Sequence, residues 1–285
     1  MKKFIVISII LAALSSQYVS SQQADHEFSA YGGMGLSTLN YKLSLGARNG
    51  GAGGIFGAGY TYFRGRERVS GTGRVVREDW GIHTGLELGL YNAKSKITGE
   101  IVSKGRTDSE GDLFDLHTRL FGYRETQTMM LLNIPMMAQF TMDRYYVLGG
   151  FKLGVPLMGR FKSKDAALKN EAYYEKYENW FKEELFSEGF GSYTINNKGK
   201  MKYGATAMLS MEAGVKWILR RKLSLYSGLY FDYGLNNIAK NSQKIFVNYN
   251  PDNPSGFTTN SVLSVYTEKV KVMAVGVKVR MAMIM

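Results

Sequence analysis

Any chemistry in this chain must come from a short set of side chains. There are three histidines, His26, His83 and His117, and no cysteine, which removes disulfides, thiolate nucleophiles and thiolate metal sites. Asp115, His117 and Thr118 are the types used in a carboxylate–imidazole–hydroxyl relay. Asp-x-His pairs arise freely in polar loops, so no catalytic residue is assigned and the chain is read as a non-enzyme. Asp108, Glu110, Asp112 and Asp115 are calcium-ligand types, but the ordered glycine of a calcium loop is missing. They read as a solvated loop, and no metal or cofactor is expected. Six other charges stand out, because each is embedded in an apolar or glycine-rich alternating stretch: Glu87, Lys152, Glu212, Lys216, Lys278 and Arg280. Charges removed from water come paired, so their chemistry is expected to be a mutually neutralising ion-pair network.

The elements that position these six are strands. From Trp80 to Asn92 one face reads Trp80, Ile82, Thr84, Leu86, Leu88, Leu90 and the other Gly81, His83, Gly85, Glu87, Gly89, Tyr91. A soluble strand has little use for repeated glycine on its polar face, whereas the cramped interior of a narrow barrel requires it. The alternation recurs from Met130 to Phe140, Tyr145 to Val155, Ala205 to Trp217, Leu223 to Tyr233 and Met273 to Met281. Weaker glycine-rich versions occupy roughly 27–41 and 51–63. The expected fold is therefore all-β: a closed, antiparallel, up-and-down transmembrane barrel of about eight strands. An interior that narrow holds side chains only, so the six charges form a plug rather than a pore.

Tight turns are expected around Asp143 and Arg220-Arg221, and long external links at 92–122, 157–202 and 237–262. One expected short turn, 64–79, instead carries Arg64, Arg66, Arg68, Arg74 and Arg77, and reads as an inserted hairpin or loop. Trp80, Phe140, Tyr145 and Trp217 fall at one end of the strands, and Tyr41, Tyr91, Tyr203, Tyr233 and Tyr266 at the other, as two interfacial girdles. Within 164–188, Tyr173, Tyr177, Trp180, Phe181 and Leu185 recur at helical spacing. This predicts a short helix whose aromatic face covers the barrel mouth, rests on lipopolysaccharide or docks a partner, with Tyr173, Tyr177, Trp180 and Phe181 as the contact face.

Lys2 and Lys3 precede the apolar run Phe4–Leu14, and Val19 and Ser21 suit a cleavage site. Residues 1–21 thus read as a secretory signal peptide, leaving 22–285 as one barrel domain. The formal charge of +12 suits anionic lipid or glycan surfaces, and an exported chain with no nucleic-acid module is not expected to bind nucleic acid.

The stretch LLNIPMMAQFTMDRYYVLGGFKLGVPL (131–157), preceded by GIHTGLELGLYNAKSK (81–96), resembles the signature of Bacteroidetes-type outer-membrane β-barrel domains of the PorT-like group. The resemblance implies an eight-stranded barrel in the outer membrane of a Gram-negative bacterium. The Arg-rich segment 64–79 and a final Met285 in place of an aromatic residue depart from that pattern. The expected role is structural or ligand- and partner-binding. The alternatives are a component of a secretion or assembly machine, which the resemblance implies, and a rim-active lipid-modifying enzyme. Expected partners are outer-membrane lipid and lipopolysaccharide, the barrel assembly machinery and secretion-system proteins.

Overall fold

The structure is a computed structural model that describes residues 24–42, 46–69, 75–164, 166–240, 245–266 and 269–285. The expected signal peptide lies outside the described residues. Fourteen strands are described: β1 (Ala24–Asn40), β2 (Ala47–Val69), β3 (Val75–Thr107), β4 (Leu113–Met142), β5 (Tyr145–Ser163), β6 (Ala166–Tyr174), β7 (Asn179–Phe181), β8 (Gly191–Ile195), β9 (Lys198–Lys200), β10 (Thr206–Arg220), β11 (Leu223–Gly234), β12 (Val247–Asn248), β13 (Thr258–Thr259) and β14 (Lys271–Ile284). A single helical turn, α1, covers Val262–Tyr266.

Twelve of the strands form one antiparallel sheet, more than the eight expected. Eight of them pair in a circuit. From β1 it runs through β2, β3, β4, β5, β10, β11 and β14, and β14 pairs with β1 again. The other four, β6 to β9, are added beyond it: β6 extends β4, β7 and β8 flank β6, and β9 adds to β5. Neighbours in the circuit joined at one end use tight connections, with Asp143 at positive φ in the β4–β5 turn. The opposite end carries the long connections.

Alternation decides which way each residue faces. Met34, Leu36, Phe56 and Ile82 point outward and are 72%, 68%, 67% and 68% exposed, while His83, Glu87, Lys152 and Arg280 point inward and are buried. The outward run from Trp80 to Leu90, at ~3.3 Å per residue and ~40° of tilt, is about 25 Å tall. Inward glycines oppose each other across three strand pairs, Gly35↔Gly276, Gly59↔Gly85 and Gly214↔Gly228. A Cβ on Gly276 would lie 2.3 Å from the Met34 carbonyl oxygen, so only glycine lets these backbones approach so closely.

One link expected as a long loop is strand. β3 and β4 are 33 and 30 residues long and stay paired almost to their common tip, so 92–122 is a continuing hairpin. Beyond Asn92 the polarity of β3 inverts: Lys94, Lys96 and Thr98 face out while Ala93, Ile97 and Ile101 are buried inside. A search for outward apolar residues stops where that inversion begins. The described residues of the Arg-rich segment, expected as an inserted hairpin or loop, are also strand, with β2 and β3 paired through Val69↔Val75, past the last β3–β4 pair at Glu78↔Met142, while Arg74 lies outside the described residues.

The helix expected within 164–188 does not form. Its residues make β6, two single 3-10 turns (Glu175–Tyr177 and Phe186–Glu188) and β7. The free edge of the β4 extension supplies hydrogen-bond partners from Asp115↔Tyr173 to Phe121↔Ala167, and that pairing overrides the weak local preference for helix. The expected outer girdle is also only partly present: Tyr41, Tyr91 and Tyr203 are buried, pointing inward.

Candidate functional site

The interior is built from inward positions on strands that cross it in opposite directions. Lys152 on β5 meets two carboxylates: its Nζ donates to Glu87 Oε1 at 2.9 Å and lies 3.1 Å from Asp232. Asn133 donates to Glu87 at 3.0 Å, and Ser210 donates to Asp232. A second cluster joins Lys278 to Glu212 at 2.8 Å, with the Tyr146 hydroxyl donating to Glu212 at 2.8 Å and the Tyr31 ring 3.9 Å from the ammonium. Nearer the tight-turn end Lys216 faces Glu27 at 3.8 Å, and Tyr226 donates to Glu27 at 2.9 Å.

The six charges nominated from sequence are thus all inward, but they do not form one network. Glu212 pairs with Lys278, and Lys152 is held by Glu87 and Asp232. Arg280 is fully buried against the Tyr226 and Tyr146 rings, at 4.2 and 5.4 Å, as a cation–π contact, and takes part in no ion pair among the described residues. Sequence reasoning missed Glu27 and Asp232 as partners, although both occupy inward positions of alternating segments.

Toward the long-link end the interior turns apolar. Leu39, Ile55, Met129, Leu131, Met208 and Val272 pack with Ile238 and Leu263 from the β11–β14 link, which closes this end. The cap is therefore this third link rather than 164–188. Its sequence signal is the apolar run Val262-Leu263 followed by Val265 and preceded by Phe246-Val247. Glu125 on β4, beyond the apolar band, anchors it. Ser261 donates its hydroxyl and Val262 its backbone N–H to this carboxylate, and Gln127 and Tyr123 donate from the strand.

Burial pushes the Glu125 carboxyl up to about 7, against the opposing pull of these hydrogen bonds. A raised acid favours the folded state when protonated. The stability it lends is fully present below the ordinary value of 4.5 and is lost as pH rises to about 7. The Val262 and Leu263 amides should therefore exchange with solvent more readily at pH 8 than at pH 5, after correction for intrinsic rates. Glu125→Gln should remove the difference, and equal protection in the unmodified protein would refute the coupling.

The other nominated groups are scattered. Asp115 accepts from the Gly105 N–H at 2.9 Å, His117 pairs with Glu100 at 2.9 Å, and Thr118 lies on the opposite face of β4, donating to Asn170 at 2.8 Å. Strand alternation thus takes Thr118 away from the other two, and Asp115 and His117, though on one face, hold different partners. Asp108 accepts from the Glu110 and Asp112 N–H groups, and Asp112 binds Lys176 and Tyr177, so these carboxylates do not converge on a point. Among the described residues no cluster of three metal-ligating side chains occurs. The aromatic face divides in two: Trp180 lies against Tyr173 and His117, while Phe181 and Tyr177 lie against Tyr174. All four nominated aromatics keep exposed surface, carried by the β6–β7 hairpin.

No family model and no curated protein matches the sequence. Among solved structures, the chain is similar to Ail, the attachment invasion locus protein of Yersinia pestis, in complex with the heparin analogue sucrose octasulfate. The identity is 10% over 92% of this chain and 99% of that one, with a TM-score of 0.27. It is also similar to the Ralstonia pickettii toluene transporter TbuX, at 6% identity over 93% and 90% with a TM-score of 0.16, and to a Pseudomonas aeruginosa FadL homologue, at 7% over 93% and 90% with a TM-score of 0.17. Superpositions this loose carry no argument about fold or role, which rest on the strand pairing and the distribution of polarity.

Proposed function

We propose that the eight-strand circuit is a closed barrel embedded in the outer membrane of a Gram-negative bacterium. Its lumen is sealed, and it acts as a structural or partner-binding protein through its outer face. The observation that carries this reading is the inverted polarity of the circuit. Its outer wall is an exposed apolar band about 25 Å tall, matching the hydrocarbon-facing band of such barrels, while its charges are buried inside. In water that band would be an aggregation liability; in lipid it is the required surface, and the circuit of strand pairs satisfies the backbone. Paired charges and the Ile238–Leu263 cap argue against a conduit.

A second reading, a component of a secretion or assembly machine, draws on the β2–β3 hairpin. It continues past the last β3–β4 pair to Val69↔Val75, into what would be the periplasm, where its β3 edge has no β4 alongside. One preparation addresses both readings. The protein should fractionate with outer membranes and migrate faster in gels before boiling than after. It should be extracted alone; stoichiometric partners would favour the machine. A soluble pool without a heat-dependent shift would rule out the barrel.

A further inference from the structure

Above the apolar band, one wall of the molecule becomes cationic. On β3 the outward sequence after Leu90 is Asn92, Lys94, Lys96; on β4, running the other way, Met130 is followed by Thr128, Thr126, Arg124; on β5, Met158 is followed by Arg160 and Lys162. The short strand β9 adds Lys198 and Lys200. The register makes these neighbours. Lys96 is directly opposite Arg124, Arg160 is opposite Lys200, and Lys162 is opposite Lys198. Lys94 and Lys162 lie on either side of Thr126.

Like charges directly opposed on a sheet destabilise it. Here three such pairs are contiguous, and among the described residues none of the seven takes part in an ion pair. The carboxylate in this stretch of β4, Glu125, points inward and is occupied by the cap. Four of them, Lys94, Lys96, Arg124 and Lys162, line a groove of about 980 Å³ together with Lys164, Glu125 and the half-exposed Phe121, and Arg160, Lys198 and Lys200 stand beside it. The far wall is different. There the outward positions at this level are Thr38 and Asn40 on β1, Lys271 opposite Asn40 on β14, and Ala205 and Ala207 at β10, so the cations are sparse rather than clustered.

Lys94 stands four residues above Leu90, about 10 Å higher after allowing for tilt, at the level of a bilayer headgroup layer. Aromatic residues that would ordinarily occupy this interface, Tyr41, Tyr91 and Tyr203, are turned inward. A cluster of guanidinium and ammonium groups, with apolar wall below and a ring at its margin, is complementary to an anionic sugar headgroup whose acyl chains descend along the wall. Arginine grips phosphate in bidentate fashion and lysine adds charge.

Taking the outer-membrane reading as given, we propose that the wall formed by β3, β4, β5 and β9 is a binding site for the phosphorylated headgroup of an outer-leaflet glycolipid of the lipid A class. Lys94, Arg160 and Lys162 hold phosphate nearest the hydrocarbon, and Lys96, Arg124, Lys198 and Lys200 meet the charge above it.

The test uses the full protein in neutral phosphatidylcholine nanodiscs, titrated with bisphosphorylated lipid A, with the same lipid enzymatically dephosphorylated, and with soluble heparin as a competitor. Retention is read by native mass spectrometry. Each basic residue near an anionic lipid surface contributes roughly a fivefold factor. The phosphorylated form should therefore be retained on the order of a hundredfold more strongly than the dephosphorylated form. Combining Lys94→Gln, Arg124→Gln, Arg160→Gln and Lys162→Gln should abolish most of that preference, while the gel shift on boiling stays intact. Equal retention of the two lipids by the unmodified protein overturns the site without recourse to any variant. So does an unchanged preference in the fourfold variant, or displacement of phosphorylated lipid by heparin at equal charge. Loss of the gel shift in the unmodified protein would instead remove the barrel reading itself.

Discussion

Lys152→Met should lower the free energy of unfolding by about 3–5 kcal/mol, because it leaves two buried carboxylates, Glu87 and Asp232, facing each other without their shared cation. The methionine fills the space but supplies no donor. Asn133 and Ser210 still donate to the two acids, so the penalty comes from uncompensated charge rather than from missing hydrogen bonds. Urea unfolding from lipid vesicles, followed by tryptophan emission, measures it. Glu87→Gln placed on top of Lys152→Met should recover part of the loss, since it ends the mutual repulsion and leaves Asp232 as the one acid without its cation. A single Lys152→Met costing less than about 1 kcal/mol would mean that the interior is hydrated well enough to screen the acids. In planar bilayers neither variant should produce a steady channel, because the apolar cap beyond the ion clusters is untouched.

Gly276→Val is expected to do more: no compact, heat-modifiable form should appear. Even a Cβ at this position would meet the Met34 carbonyl oxygen at 2.3 Å and the Gly35 Cα at 2.8 Å, and both obstacles are backbone. Side chains can rotate away from an intruder, but a strand in full register on both flanks cannot. Gly149→Ala is the matched control, because a Cβ there has nothing within 4 Å and should leave assembly intact. If Gly276→Val assembled as well as Gly149→Ala, the opposed glycines would have no part in setting the close approach of β1 and β14.

The features legible in sequence were those a single strand expresses by itself. Trp80 to Asn92 declared both faces, Asp143 and Arg220-Arg221 marked turns, and the inward positions of the six charged residues follow from alternation within their own segments. What escaped notice depends on two strands at once. Glu27 and Asp232 could be placed on the inner face, but the register that brings Tyr226 to Glu27 and Lys152 to Asp232 is not written in either segment. Residues 93–101 alternate as cleanly as 80–92 but with the polarity reversed, because inside becomes the dry side once the strand leaves the apolar band. Tyr173, Tyr177, Trp180 and Phe181 repeat at helical spacing, yet aromatics also suit strands, and the free edge of β4 decided between them.

The pairing of β1 with β14 governs how such a chain can be made. Its register runs from Glu27↔Ile284 to Asn40↔Lys271, joining partners at nearly opposite ends of the sequence. Bringing ends that far apart together costs about 5 kcal/mol of chain entropy before any hydrogen bond in the seam repays it. No local hairpin can share that cost, and until β14 emerges β1 presents an open edge with its backbone groups unmatched. Folding should therefore be slow at its final step and vulnerable throughout to pairing with the wrong strand. A transient surrogate edge, supplied by an assembly machine and displaced as β14 arrives, would shelter β1 over that interval and make the order of synthesis the order of closure.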